Sequence, residues 1–375
     1  MLLQVKTKGG GIMAKYYDLE PILSKKCQYN VIWGERSNGK TYAVLKHGIK
    51  EYVKHGGQIA YIRRWGEDFK GITVKTLFEA LVANNEISKI TKGEWTHVYY
   101  YGRTWYLARE DEVTGKLIKD TEPFCYGFAL TEMERTKGSS FPNIRTVLFD
   151  EFLTRPTAHS GYLPDEFILF QNVLSTIIRQ RKNVTIFMLG NTVNKYCPYF
   201  KEMGLKHAKT MKQGTIDIYT YDKGLRVAAE YCSGSESKES DTYFAFDNPK
   251  LKMVTSGAWE MDIHPHLPYK YRPKDVIYSF FIIFDGEQMK CEIINVEDDT
   301  FIYVHRHTTE VKDNPDTLIY KEDWSPKPNH RRNIYKQASR LEQKIANLFA
   351  LDKVFYQDNE LGELMMNYLN WCKTI

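Results

Sequence analysis

The 375-residue sequence reads as an α/β protein, with a mainly parallel sheet in its first domain and a smaller α+β domain after it. Three observations carry that reading. Short apolar runs at 30–33, 58–62, 146–149 and 184–189 have strand composition and are separated by stretches of helical periodicity. The first run leads into a glycine-bearing loop and a helix, GERSNGKT at 34–41 followed by 42–54. Beyond residue 260 the pattern changes to apolar strands joined by tight turns.

At this length two cores are expected. We place the first domain at 1–210, a linker region at 211–259 and the second domain at 260–375. With 42% hydrophobic and 26% charged residues the chain has the composition of an ordinary soluble protein. The net charge of +5 suits a polyanionic partner but is too small to identify one. Six cysteines are scattered without a C-x-x-C pair, which argues for reduced thiols and against a zinc ribbon or disulfide framework. The longest apolar run, 276–284, is half a membrane span, so no membrane is expected and the protein should be soluble and intracellular.

The elements follow in order. His55-Gly56-Gly57 ends the loop helix, and 58–62 returns as a strand, giving the spacing of a βαβ unit. Residues 94–130 read as an antiparallel meander inserted on the sheet. The parallel pattern resumes at 146–149 and ends in Asp150-Glu151. A helix starts near Pro164-Asp165-Glu166 and carries Phe167, Phe170, Val173, Leu174 and Ile177 at helical spacing. It closes in the basic stretch 179–182, before the buried strand 184–189 and Gly190-Asn191. The polar, small-residue stretch 232–240 reads as an exposed loop. In the second domain, 278–284, 289–296 and 301–305 form a meander with Asp285-Gly286 as a tight hairpin, and helices are expected at 334–351 and 361–371.

GERSNGKT is a complete G-x-x-x-x-G-K-[ST] phosphate loop. Gly34 and Gly39, with Arg36, Ser37 and Asn38 between them, let successive N–H groups close on phosphates; Lys40 reaches the terminal phosphates and Thr41 ligates Mg²⁺. The loop predicts ATP and Mg²⁺ as cofactors. Asp150, at the end of a buried strand, supplies a second handle on the metal, and Glu151 beside it polarises the attacking water, the acid pair of NTPases of the ASCE/RecA-like kind that hydrolyse for work. Asn191, at the tip of the next strand, reads either as a sensor of the γ-phosphate or as a plain turn residue. Arg179 and Arg181 are either arginine fingers or partners of a helix dipole. Arg63-Arg64 with Trp65 and Lys70 form a basic aromatic patch suited to a phosphate backbone, or a solvated loop. His264, His266, His305 and His307 lack an accompanying carboxylate or thiol cluster, which argues against a metal site there. An alternative to a DNA-translocating ATPase is a P-loop helicase or other nucleic-acid remodeller. A nucleotide-binding scaffold is a further rival, and Glu151 argues against it.

Several passages in order resemble the DNA-encapsidation (genome-packaging) ATPases of phi-twenty-nine-type phages, relatives of terminase large subunits. They are Val31-Ile32-Trp33 into the loop with arginine third, Tyr61-Ile62-Arg63-Arg64, Phe141-Pro142-Asn143, TVLFDEF at 146–152, 161–166, Ile178-Arg179-Gln180-Arg181 and Leu189-Gly190-Asn191. Residues 338–370 resemble the same family more weakly. The resemblance implies a homo-oligomeric ring, commonly a pentamer, docked on the portal (connector) of a prohead in the host cytoplasm and driving double-stranded DNA inward. It implies a second domain that is ribonuclease H-like without a working nuclease. Carried over by position, Arg36 is the loop arginine, Lys40 and Thr41 the phosphate and Mg²⁺ contacts, Asp150 and Glu151 the metal and water carboxylates, and Arg179 the finger supplied in trans, with Arg181 its runner-up. A longer N-terminus and a longer 94–130 meander leave a structural packaging RNA open as a partner.

Overall fold

Buried apolar strands that alternate with amphipathic helices assemble as a parallel sheet because each strand must be covered on both faces. The computed structural model describes residues 17–132, 138–155, 161–233, 253, 258–268, 270–312 and 314–375, and within them ten strands form the first sheet. In chain order these are β1 (Tyr29–Gly34), β2 (Gln58–Arg63), β3 (His97–Tyr101), β4 (Thr104–Glu110), β5 (Leu117–Lys119), β6 (Cys125–Ala129), β7 (Ile144–Asp150), β8 (Thr185–Asn191), β9 (Thr215–Thr220) and β10 (Arg226–Tyr231). The spatial order is β3-β4-β6-β2-β7-β8-β1-β10-β9, with β5 on β4. From β6 to β10 every pairing is parallel, and antiparallel pairs occur only at the two edges.

The phosphate-loop strand β1 and the acidic strand β7 are thus separated by β8, so β1 and β2 are not neighbours although they flank one helix. This order is that of an ASCE/RecA-like P-loop domain. Two boundaries differ from expectation. Residues 125–129, read as part of the antiparallel insert, form β6 parallel to β2, with Phe124, Cys125, Phe128 and Ala129 buried there. Residues 215–231, expected in a linker, form β9 and β10, and Val227, Ala228 and Ala229 complete the core beside β1. Polarity hid β9, an edge strand none of whose residues is buried.

The chain divides into two compact units: Met1–Thr154 with Asp165–Trp259, and Arg155–Pro164 with Glu260–Ile375. Large side chains fill the first core, among them Trp33, Trp105, Phe149, Phe170 and Tyr199, each under 2% exposed. The second unit holds β11 (Val276–Phe284), β12 (Glu287–Val296), β13 (Asp299–Arg306), β14 (Ile319–Lys321), β15 (His330–Arg331) and β16 (Val354–Tyr356), in the order β15-β14-β11-β12-β13-β16. β11 to β13 are an antiparallel meander, and β14 lies parallel to β11 with β15 parallel to β14, the ribonuclease H-like arrangement. Asp285 (φ 53°) and Gly286 (φ 79°) make the tight hairpin. The first of its two helices starts later than periodicity suggested, at Arg340, because Ser339 and Glu342 form a capping box there. The second spans Asn359–Cys372 with Asp358 as its cap. Among the described residues no helix is long and apolar enough to cross a membrane.

Candidate active site

Three adjacent strand ends build the site. The register pairs Gly34 of β1 with Asn191 of β8 and Asp150 of β7 with Leu189 of β8, so loop, polar tip and acidic pair converge at one edge of the sheet. A cavity of about 260 Å³ opens there, lined by Ser37 to Tyr42, Asp150, Glu151, Leu189, Gly190 and Asn191. Gly34 is required by close approach, since a Cβ there would sit 3.0 Å from the Cys232 carbonyl oxygen and closer still to its Sγ. Gly39, with φ 89°, starts the helix Lys40–His55 in a conformation that favours glycine. Arg36 is exposed and lies outside the cavity lining.

Lys40 is 6% exposed and its Nζ donates to the Glu35 carbonyl at 2.6 Å, to Asn38 Oδ1 at 3.1 Å and to Asn191 Oδ1 at 3.4 Å. Burial lowers its pKa, opposed by the negative groups around it, Asp150 among them. Thr41 Oγ1 lies 3.3 Å from both Asp150 carboxylate oxygens, and Tyr61 Oη donates to Asp150 Oδ2 at 3.2 Å. Burial raises the Asp150 pKa against the pull of Arg63. The set suits a hard cation: Mg²⁺ takes one or two carboxylates with substrate phosphates, and Thr41 and Asp150 present hydroxyl and carboxylate oxygens side by side.

Arg63 and Arg64 are not a patch for a phosphate backbone. Arg63 Nη2 meets Glu151 Oε2 at 2.7 Å, its Nη1 is 4.0 Å from Asp150 Oδ2, and its Nε is 3.3 Å from Asp68 Oδ2. Arg64 is buried, bound to Glu166 at 2.7 and 2.9 Å. Lys70 pairs instead with Glu67. Sequence reading missed this because Arg63 ends, and Arg64 follows, a strand whose neighbour is β7, a pairing no local pattern announces. Cys232 was missed likewise: it follows β10 and accepts from Asn38 Nδ2 at 3.1 Å, beside the phosphate loop.

The helix Glu166–Ile178 runs back from the acidic end of β7 to its start. Arg179 at its end is exposed, with φ 51°, and donates to the Ser139 carbonyl at 2.7 Å. The start of β7 lies about 20 Å from Asp150 at 3.3 Å per residue, so Arg179 is remote from its own chain's cavity. Arg181 donates to the carbonyls of Pro142 (2.7 Å), Ile144 (2.5 Å), Ile178 (3.3 Å) and Ile177. Those contacts make it a clamp on the helix terminus.

A family model described as "Podovirus DNA encapsidation protein (Gp16)" matches residues 13–213, more than half of the chain and nearly all of the first unit's site. The chain belongs to this encapsidation family. Its relatives include the DNA packaging protein of Bacillus phage B103, 31% identical over 176 residues, which covers 47% of this chain and 48% of the B103 protein. The DNA packaging protein of Bacillus phage PZA is 27% identical over 273 residues, covering 72% and 73%. The chain thus spans about half the length of the B103 relative and nearly three quarters of the PZA one. A chain of the bacteriophage Phi-29 viral genome packaging motor assembly shares the encapsidation fold with TM-score 0.54 at 19% identity, covering 95% of this chain and all of that one. The Phi-28 gp11 DNA packaging motor gives the same TM-score at 14% identity, with 96% and 97% coverage.

Proposed function

We propose that this chain is a viral DNA-packaging motor ATPase, coupling ATP hydrolysis to translocation of double-stranded genomic DNA into a prohead. The observation that carries it is the contact of Thr41 with Asp150 across a glycine loop, with Glu151 next in the chain, in a member of an encapsidation family. Lys40 and the loop N–H groups hold the β- and γ-phosphates, and Thr41 and Asp150 hold Mg²⁺. The metal's contribution when bound is to neutralise charge on the transferring phosphoryl group. Glu151 orients and deprotonates the attacking water. In the state described its carboxylate is paired with Arg63, so that pair must open for Glu151 to reach the water. Asn191, whose Oδ1 accepts from Lys40 Nζ at 3.4 Å, has its Nδ2 amide group to donate to the γ-phosphate and so senses it.

Arg179, exposed at the far end of the sheet, serves a neighbouring subunit rather than its own. A ring follows, and the portal of the prohead is the partner on which it docks. Release of phosphate at one interface removes the charge that Arg179 grips, loosening that interface and moving the DNA. Contacts to DNA are to phosphates, hence indifferent to sequence and weakened by salt. The deciding experiment is ATP turnover and DNA uptake with duplex DNA and purified proheads. Turnover stimulated by duplex and proheads, without strand separation, is expected. Turnover that opens the duplex and ignores proheads would instead favour a helicase.

A further inference from the structure

Glu151 adopts a backbone that residues other than glycine rarely keep, with φ 59°. Such a conformation costs about 1–3 kcal/mol and persists only where its surroundings hold it. Two groups do so. The Phe152 N–H donates to the Leu189 carbonyl at 3.0 Å. Arg64, 6% exposed, donates from Nη1 to the Glu151 carbonyl at 3.2 Å and from Nη2 to the Phe152 carbonyl at 3.0 Å. Its guanidinium is itself held in a fork by Glu166, at 2.7 Å from Nε and 2.9 Å from Nη2, and Glu166 is 2% exposed. Glu166 Oε1 also accepts from Tyr199 Oη at 2.8 Å. Tyr199 sits in the helix Pro198–Glu202, the first one after Asn191 in the chain. A continuous buried chain of hydrogen bonds therefore runs from the backbone of Glu151 through Arg64 and Glu166 to the segment that follows the polar strand tip.

Buried ion pairs are weak devices for stability, because desolvation offsets much of their attraction. One placed directly behind a strained carboxylate has a geometric use. We propose that Arg64 is a positioning residue for Glu151: its guanidinium fixes the left-handed turn that aims the carboxylate, and Glu166 and Tyr199 tie that turn to the segment following Asn191. Arg64 does not line the cavity, so it acts through Glu151 and not on substrate. The inference rests on the reading of Glu151 as the group that polarises water.

The test uses the full-length protein and steady-state ATP hydrolysis. Arg64→Lys keeps a cation opposite Glu166 but cannot bridge a carboxylate and two carbonyls at once. Its kcat should fall about 10²-fold, the cost typical of a small misplacement at a reacting group, while KM for ATP stays within about threefold. In a Glu151→Gln background the same substitution should remove less than about threefold more, since the group being aimed is already gone. Tyr199→Phe, which loses one hydroxyl and keeps the ring, should give a smaller loss with the same non-additivity, and it replaces Arg64→Lys if that variant fails to fold. Equal fractional losses with and without Glu151, an unchanged kcat, or a KM rising in step with the loss would each overturn the proposal. A wild-type rate in Glu151→Gln alone overturns the reading of Glu151 and this inference together. An impaired Glu151→Gln with an additive Arg64→Lys loss overturns only this one.

Discussion

Glutamine at position 151 keeps the shape of the side chain and removes its basicity. A positioned general base contributes about 10²- to 10⁴-fold, or roughly 3–5 kcal/mol of barrier, and the Glu151→Gln variant should lose that much of kcat. Its stability should hardly change. The Glu151 side chain is 56% exposed, and its 2.7 Å pair with Arg63 is worth no more than about 1 kcal/mol in that setting. In a unit of this size such a loss moves the melting temperature by about 2–4 °C at most. ATP affinity should be kept, because Lys40, Thr41 and Asp150 retain their contacts. Phosphate release at saturating ATP, a nucleotide titration and a melting curve on one preparation measure all three. A kcat within tenfold of wild type, or an affinity that falls as far as kcat does, would refute the assignment of Glu151 as the water-activating group.

Lys40→Ala should weaken ATP binding by about 10²-fold, since a charge-assisted contact is lost and its acceptors Asn38 and Asn191 are left behind; an unchanged dissociation constant would contradict it. Arg179→Ala subunits mixed with wild type should depress turnover more steeply than their fraction, whereas a linear decline counts against a residue acting across subunits. Arg181→Ala should cost about 1–3 kcal/mol through the carbonyls it leaves unpaired, lowering the melting temperature, while Arg179→Ala melts close to wild type; equal melting of the two would undo that division of roles. In the second unit His305, Lys290 and Tyr271 surround Glu292 and push its pKa down from 4.5 to about 2. A carboxylate depressed in the folded state stabilises above its unfolded pKa and loses that contribution as pH falls through the folded value. The stability advantage of wild type over Glu292→Gln should therefore be fullest above about pH 4.5 and shrink as pH falls towards 2, and a difference independent of pH across that window would count against the depressed carboxylate.

Local chemistry was legible wherever spacing alone dictates it. GERSNGKT specifies a phosphate loop by glycine placement and a lysine–threonine pair, and TVLFDEF reads as a buried strand ending in two acids, because both patterns are complete within a dozen residues. Helix Glu166–Ile178 and the Asp285-Gly286 hairpin were visible for the same reason, as periodicity and turn residues act over short range. The small-residue loop at 232–240 lies outside the described residues apart from Cys232 and Ser233.

What lies side by side was decided elsewhere. The placement of β8 between β1 and β7 brings Asn191 to Lys40, and the pairing of β2 with β7 turns Arg63 and Arg64 from an apparent surface patch into partners of Glu151. β10 joined the core although its neighbourhood reads as a linker, and Cys232 reached the phosphate loop from nearly two hundred residues away. Sequence periodicity reports which face of an element is apolar, but not which element covers it. That choice belongs to long-range packing, where burial of Val227, Ala228 and Ala229 outweighs a polar context and the pair of Arg63 with Glu151 forms because the sheet has brought the two together.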